Sequence, residues 1–493
     1  MYYIGADLGT SGIKMILVDN NGKIIKSLTK VYDIYYPKDG WSEQNPEVWW
    51  ESFKIGIKDL TEGVDKEKIK CIGIDGQMHG LVILDENDKI IRPAILWNDT
   101  RSYIETDYLN NEIGTDKLAE WTGNIAFPGF TAPKILWLKN NEVESFNRIS
   151  KIMLPKDYLT YRLVGESFTD QSDASGTLLL DVRNRKWSEE MIEICGIDIS
   201  NLPKLKESYE IIGDVIDDVA KELGLTSSTK VVAGAGDNEA AAIGLGATGK
   251  DKCNISIGTS GTVFVTSEKF TDNGNHSVHN FAHADGHYHY LGCMLSAASA
   301  NNWWVNDILN ASSFDEEQQF DHLGYNDVIY LPYLMGERSP HNDAKIRSSF
   351  IGMTMNTTKY DMNRAVLEGI TFGLRDSLEI IKKSGKDIQS ATLCGGAAKS
   401  KIWREIAANI LNVRIDIPEV EEGPAFGSAI LAMVADGQYE SIEEACSKLV
   451  AIKKSIYPNQ DIVKEYDIMY ECFVDGYKST KSICHNLAKI VNK

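Results

Sequence analysis

A chain of 493 residues outruns the ~250–300 over which a single hydrophobic core grows, and with 43% hydrophobic and 25% charged residues it has the apolar content for two cores and is not a globally disordered chain. A formal net charge of -20 excludes general electrostatic attachment to nucleic acid or an anionic membrane, so an anionic ligand must be gripped by local donors and a metal ion. The 8 cysteines are scattered from Cys71 to Cys484 without a C-x-x-C, no stretch approaches the ~18–20 apolar residues of a membrane span, and no export signal is read, which together point to reduced thiols in a cytoplasm.

Strand-like runs alternate with longer helical ones, the pattern of an α/β fold. Residues 4–18, IGADLGTSGIKMILV, read as a β-hairpin turned at Gly-Thr-Ser-Gly. Asn45 and Pro46 then supply an N-cap and a first-turn proline for a helix whose apolar face is Val48, Trp49, Phe53, Ile57 and Leu60. A buried strand follows and ends in Gly76-Gln77-Met78-His79-Gly80. Polar groups at the carboxyl end of a strand in an α/β sheet are where ligands bind, and Gln77, Met78 and His79 offer a polyol both hydrogen-bonding groups and an apolar wall. Asn98 and Asp99, with Arg101, form a second polar cluster of that kind, although either cluster alone would also serve as a surface loop.

Val231–Ala233 runs into Gly234-Ala235-Gly236-Asp237-Asn238 and an alanine-rich helix, placing Asp237 at a strand end or helix start. A carboxylate flanked by small residues can approach a substrate hydroxyl and accept its proton, so Asp237 is the candidate general base and Asn238 a further substrate contact; an N-cap role is the plain alternative. Gly244–Asp251 fits G-x-G-x-x-G, but it follows a helical segment and has Asp251 where a P-loop needs Ser or Thr, so it reads as a helix end and an interdomain turn.

Residues 255–265, ISIGTSGTVFV, repeat the opening hairpin, one copy in each half. Glycine turns with neighbouring hydroxyls bare their N–H groups to phosphate oxygens, so two opposed copies could grip one polyphosphate. Gly9, Thr10, Ser11, Gly12 and Lys14 of the first copy and Gly258, Thr259, Ser260 and Gly261 of the second are expected there, with Asp7 holding a hard Mg²⁺ carried by ATP. His276, His279, His283, His287 and His289 lack metal-site spacing and read as solvated or locally hydrogen-bonded groups around a hairpin. Val366, Ile370, Leu374, Leu378 and Ile381 mark a helix that Gly385 ends. The strand at Ala391–Cys394 opens into Gly395, Gly396, Ala397, Ala398 and Lys399 before another helix, a bare-backbone turn suited to adenosine.

The paired hairpins resemble the actin-like ATPase superfamily, and the chain as a whole resembles the FGGY carbohydrate kinases. Gly129–Asn141 (GFTAPKILWLKNN) and Ser348–Glu368 (SSFIGMTMNTTKYDMNRAVLE) are similar to that family's two diagnostic stretches. DLGTSGIK, WSEQNPEVWW, GQMHG, ILWNDTR, LPKDYL and GERSPH resemble its members that act on D-xylulose. The resemblance implies two ribonuclease H-like domains around a deep cleft, residues 1–247 binding sugar and 248–493 binding ATP. It implies ATP- and Mg²⁺-dependent phosphorylation of that ketose at its 5-hydroxyl, with Met78 and His79 on the sugar and Asp237 as proton acceptor. Ala398 stands where a longer basic side chain is common in the family. Gluconate, ribulose, a deoxy-ketose or glycerol are the rival substrates, and a non-catalytic filament or sugar sensor is the rival class. A homodimer is compatible with the resemblance, but nothing in the sequence locates an interface.

Overall fold

The structure, a computed structural model, describes residues 1–272, 276–311, 313–314, 322–419 and 423–491. In the first half, β1 (Tyr2–Leu8), β2 (Gly12–Asp19) and β3 (Ile24–Val31) form an antiparallel meander. Helix α1 (Pro46–Leu60) follows, its start fixed where the Asn45 side chain accepts from the Glu47 N–H, a cap worth about 1 kcal/mol. Its apolar face buries Trp49, Trp50, Phe53, Ile57 and Leu60, each contributing roughly 1.5–3 kcal/mol, whereas Val48 remains exposed. Strand β4 (Ile69–Gly76) lies parallel to β1; β5 (Ile211–Asp214), β6 (Lys230–Val232) and the two-residue β7 (Ala235–Gly236) complete the sheet in the order β5-β6-β4-β1-β2-β3, with β7 also on β4. Helix α2 (Asp237–Gly244) ends the half, and Gly246 and Gly249 turn the chain with positive φ of 76° and 79°, the helix-end reading of the G-x-G-x-x-G stretch.

The second half repeats the plan. Strands β8 (Cys253–Ile257), β9 (Gly261–Ser267), β10 (His279–Ala282) and β11 (Tyr288–Met294) pair antiparallel with one another. Helix α3 (Lys359–Lys383) ends just before Gly385, and β12 (Ser390–Gly395) returns parallel to β8, followed by α4 (Lys401–Leu411) and β13 (Arg414–Pro418). Helices α5 (Gly423–Ala435) and α6 (Ile442–Leu449), strand β14 (Ile452–Ile456) and helix α7 (Gln460–Val491) complete the described chain. The sheet order is β10-β11-β9-β8-β12-β13-β14. In both halves three antiparallel strands, β1-β2-β3 and β8-β9-β11, are followed by two parallel strands on the far side of the first, the arrangement expected of two ribonuclease H-like domains. Among the described residues no helix is long and apolar enough to cross a membrane.

Helix α5 ties the halves together. It comes from the second half yet lies across β1 and β4, where a Cβ on Gly5 would stand 1.9 Å from the Ala425 carbonyl oxygen and one on Gly73 would stand 2.1 Å from that of Ser428. Its Ala425, Phe426, Ala429 and Ile430 share one apolar cluster with Tyr3, Ile16, Val232 and Ile243. A helix so seated fixes its first turn beside the carboxyl ends of β1 and β4.

Candidate active site

A cleft of about 260 Å³ opens between the sheets, lined by Asp7, Gly9, Asp237 and Asn238 from the first half, by Asn254, Ser256, Thr262, Phe264 and Cys394 from the second, and by Pro424 of α5. Asp7 lies within β1, two residues before the glycine turn begins, and Asp237 is the first residue of α2, so both carboxylates reach the cleft from strand or helix ends. Asp75 stands opposite Asp7 on the parallel neighbour β4, so the two carboxyls influence one another. Burial pushes Asp7 up to about 6 against the opposing influence of Asp75 and Lys14. Burial and then the charge of Asp7 hold Asp75 well above the usual carboxylate range. Asp237 is pushed up to about 8, by burial first and then by Asp7 and Glu239. This is an acidic centre that a hard cation would relieve, and its all-oxygen donors suit Mg²⁺.

The first glycine turn is braced from behind. Tyr32 donates its hydroxyl to the Gly9 carbonyl at 2.6 Å, Gln44 Nε2 donates to the Thr10 carbonyl at 2.7 Å, and Trp97 Nε1 donates to Thr10 Oγ1 at 2.9 Å. Lys14 pairs across the hairpin with Asp7. Gln77 is part of this brace: its Nε2 donates to Gln44 Oε1 at 3.2 Å, and its own Oε1 is buried with no partner among the described residues. The second turn is held by its neighbours, the Ala298 N–H donating to the Gly258 carbonyl at 2.7 Å and Ser299 Oγ to that of Thr259 at 2.7 Å, while Thr259 and Ser260 stand exposed. Gly395 lies opposite Ile257 with φ 82°, and a Cβ there would meet the Ile257 carbonyl oxygen at 2.4 Å, so only glycine lets the 3-10 turn Gly396–Lys399 sit against the second hairpin.

On the sugar side His79 holds φ 67°, and its Nδ1 faces the Gly176 carbonyl at 2.7 Å. A carbonyl only accepts, so Nδ1 carries the proton and Nε2 is left as an acceptor. Burial pushes His79 down to about 3, which keeps the ring neutral, and Phe130 packs against it with centroids 4.6 Å apart. Asn238 Nδ2 donates to Asp237 Oδ1 at 2.9 Å and lies 3.7 Å from Met78 Sδ, joining Met78, Asn238 and Asp237 in one corner. Asp99 is otherwise engaged: Arg101 grips both its oxygens, at 2.9 and 2.7 Å, and the Ser42 N–H donates at 2.6 Å. Its carboxylate therefore has a structural task, while the neighbouring Asn98 is exposed.

Asp75, Asn254, Ser256 and Thr262 join the site without a motif that announces them. The last three are polar residues at alternating positions of otherwise apolar strands, paired Ser256 with Thr262 across the hairpin, a pattern that signals a ligand-facing side. Three of the hairpin histidines are packed rather than solvated. His279 stacks on Phe281, His283 Nε2 bonds the Ala247 carbonyl at 2.9 Å, and His289 Nε2 lies 2.8 Å from Glu239 Oε1. Asp285, His287 and Glu443 bring ligand-type atoms within 4.8 Å of one another, but Asp285 already accepts from Thr248 Oγ1 and the Gly249 N–H.

Residues 2–244 match the N-terminal domain, and residues 253–435 the C-terminal domain, of the FGGY family of carbohydrate kinases. The xylulose kinase of Staphylococcus xylosus is 37% identical over 97% of this chain and 99% of its own. A solved structure of the xyloylose kinase of Brucella ovis has 39% identity and a TM-score of 0.94, covering 98% of this chain and 100% of that one. The gluconate kinase of Lactobacillus acidophilus has 30% identity and a TM-score of 0.93, covering 97% and 98%.

Proposed function

Because the chain belongs to the FGGY family of carbohydrate kinases, we propose that it is a xylulose kinase, transferring the γ-phosphoryl group of ATP to the 5-hydroxyl of D-xylulose and releasing ADP. The observation that carries the residue assignment is Asp237, which shares one cleft with Asp7 and one corner with Met78.

Asp237 takes the 5-hydroxyl proton as the oxygen attacks the γ-phosphorus and the bond to the β-phosphate oxygen breaks. Met78 supplies the apolar wall, and Asn238 orients the Asp237 carboxylate through its Nδ2. His79, with Nε2 free to accept, orients a ketose hydroxyl; Gln77 supports the first turn from behind, and Asn98 and Asp99 contribute through the adjoining loop that Trp97 anchors to Thr10. Gly9, Thr10, Ser11, Gly12 and Lys14 face Gly258, Thr259, Ser260 and Gly261 across the polyphosphate, and Gly395, Gly396, Ala397 and Lys399 receive the adenosine. Asp7 fits a Mg²⁺ carried with the nucleotide; when bound, that ion neutralises charge on the transferring phosphoryl group. Residues 1–247 form the sugar-binding domain and 248–493 the nucleotide-binding one, in a cytoplasmic enzyme whose described cysteines are free thiols.

The test is coupled ADP release with Mg-ATP against D-xylulose, D-ribulose, L-ribulose, D-gluconate and glycerol, with a control lacking sugar. A kcat/KM for D-xylulose well above the rest is expected. Preference for D-gluconate would move the substrate and keep the mechanism, whereas no sugar-dependent release would overturn the kinase reading itself.

A further inference from the structure

We propose that Asp75 is a second carboxylate ligand, with Asp7, for the hard divalent cation that accompanies the nucleotide, an inference that rests on reading this cleft as the metal–nucleotide site. Strands β1 and β4 run parallel with Gly5 opposite Gly73 and Asp7 opposite Asp75. Side chains two apart on a strand share a face, so both strands present glycine under α5 and aspartate beside that helix's first turns. The two aspartates thus share one end of one face, at the mouth that Asp7 and Pro424 line.

The second observation is at Asp75 itself. The side chain is wholly buried; Oδ2 accepts from Ser428 Oγ at 2.6 Å, and Oδ1 receives no donor from any described residue, with the carboxyl of Asp7 as its neighbour across the strand pair. A buried carboxylate oxygen with nothing to accept from costs roughly 1–3 kcal/mol or more, and a carboxyl facing a carboxyl is satisfied either by a shared proton or by a cation. Mg²⁺ and Mn²⁺ take one or two carboxylates along with phosphate oxygens and water, which is the set that Asp7, Asp75 and a polyphosphate would supply. Ser428 then aims Asp75, and because it sits on α5, the cation is anchored to the helix that joins the two domains.

The experiment titrates the full-length protein with Mn²⁺ in saturating ADP, reading free Mn²⁺ by electron paramagnetic resonance, for wild type, Asp7→Asn and Asp75→Asn. Asparagine at 75 keeps the size, can still accept from Ser428 and can donate to Asp7, so a residue that merely positions Asp7 would be rescued by it. As a ligand, its loss is expected to weaken Mn²⁺ binding about tenfold or more, with ADP affinity in EDTA unchanged. Affinity within twofold of wild type overturns the proposal. Should Asp75→Asn fail to fold, wild type crystallised with Mn²⁺ and ADP decides: anomalous density within about 4.5 Å of Asp75 Oδ1, direct or through one water, supports it, and a more distant ion overturns it. Unchanged Mn²⁺ binding in Asp7→Asn would instead overturn the underlying metal–nucleotide reading, a result distinct from failure at Asp75 alone.

Discussion

Replacing Asp237 by asparagine removes one oxygen's basicity and almost nothing else. Asparagine Oδ1 can still accept from Asn238 Nδ2, and the start of α2, at Gly236, has no side-chain cap to lose. General-base catalysis contributes about 10²–10⁴ in rate, so kcat should fall by that factor, about 3–5 kcal/mol of barrier, while ADP binding changes little. The pH profile sharpens the test. With the carboxyl pushed up to about 8, only about a tenth of the cation-free enzyme carries the base at pH 7, and kcat/KM for Mg-ATP should climb nearly tenfold per pH unit below that point. Because the charge of Asp7 is among the causes, a cation there should move the acid limb of kcat to lower pH than that of kcat/KM, and Asp7→Asn should lower it as well. Steady-state ADP release across pH 5.5–9 measures all three quantities. Turnover in Asp237→Asn within tenfold of wild type, or an acid limb that survives in the variant, would refute the assignment.

Gly395→Ala places a methyl 2.4 Å from the Ile257 carbonyl at a φ of 82°, and should raise the KM for ATP severalfold while leaving that for sugar nearly unchanged; the reverse split would move adenosine elsewhere. His79→Ala removes a neutral acceptor worth about 0.5–1.5 kcal/mol, so the sugar KM should rise roughly three- to tenfold with the ATP KM unaffected. Gly73→Ala drives a Cβ to 2.1 Å from the Ser428 carbonyl oxygen; urea denaturation should show a loss of about 1–3 kcal/mol or more as α5 is pushed off β4. His289 is buried and pushed down to about 3 by burial, so its folded value lies below the unfolded value of about 6.5. Its contribution is present above that unfolded value and is lost as pH falls, because the unfolded chain then binds a proton that the folded chain refuses. The stability gap between wild type and His289→Gln should narrow by about 2 kcal/mol between pH 7 and pH 5, and a constant gap would show that the folded ring takes up its proton as readily as the unfolded one.

What the sequence made legible was what is local. The Gly-Thr-Ser-Gly hairpins, the Asn45-Pro46 helix start, the Gly385 stop and the strand-to-helix placement of Asp237 all depend on neighbours within a few residues, where turn chemistry and periodicity act. Asp99 marks the edge of that legibility: its partner Arg101 is two residues away, yet only the fold shows the guanidinium folded back onto it. Asp75 lies beyond it. In sequence it is one carboxylate inside an apolar run, and its meaning comes from a parallel pairing that sets it opposite Asp7 and from a serine 353 positions later. The same holds for α5, an apolar helix in the second half whose partners are glycines in β1 and β4. Those glycines could be read as turn or flexibility residues, whereas here they are the space into which a helix from the other domain descends. A cleft between duplicated domains is therefore specified twice, once by each hairpin's own turn, which any reader of the chain can find, and once by a long-range helix contact that exists only after both domains have formed. The carboxylates in between belong to the second kind, since burial and mutual repulsion, the causes that push Asp237 up to about 8, arise only when the strands and helices of the site are assembled.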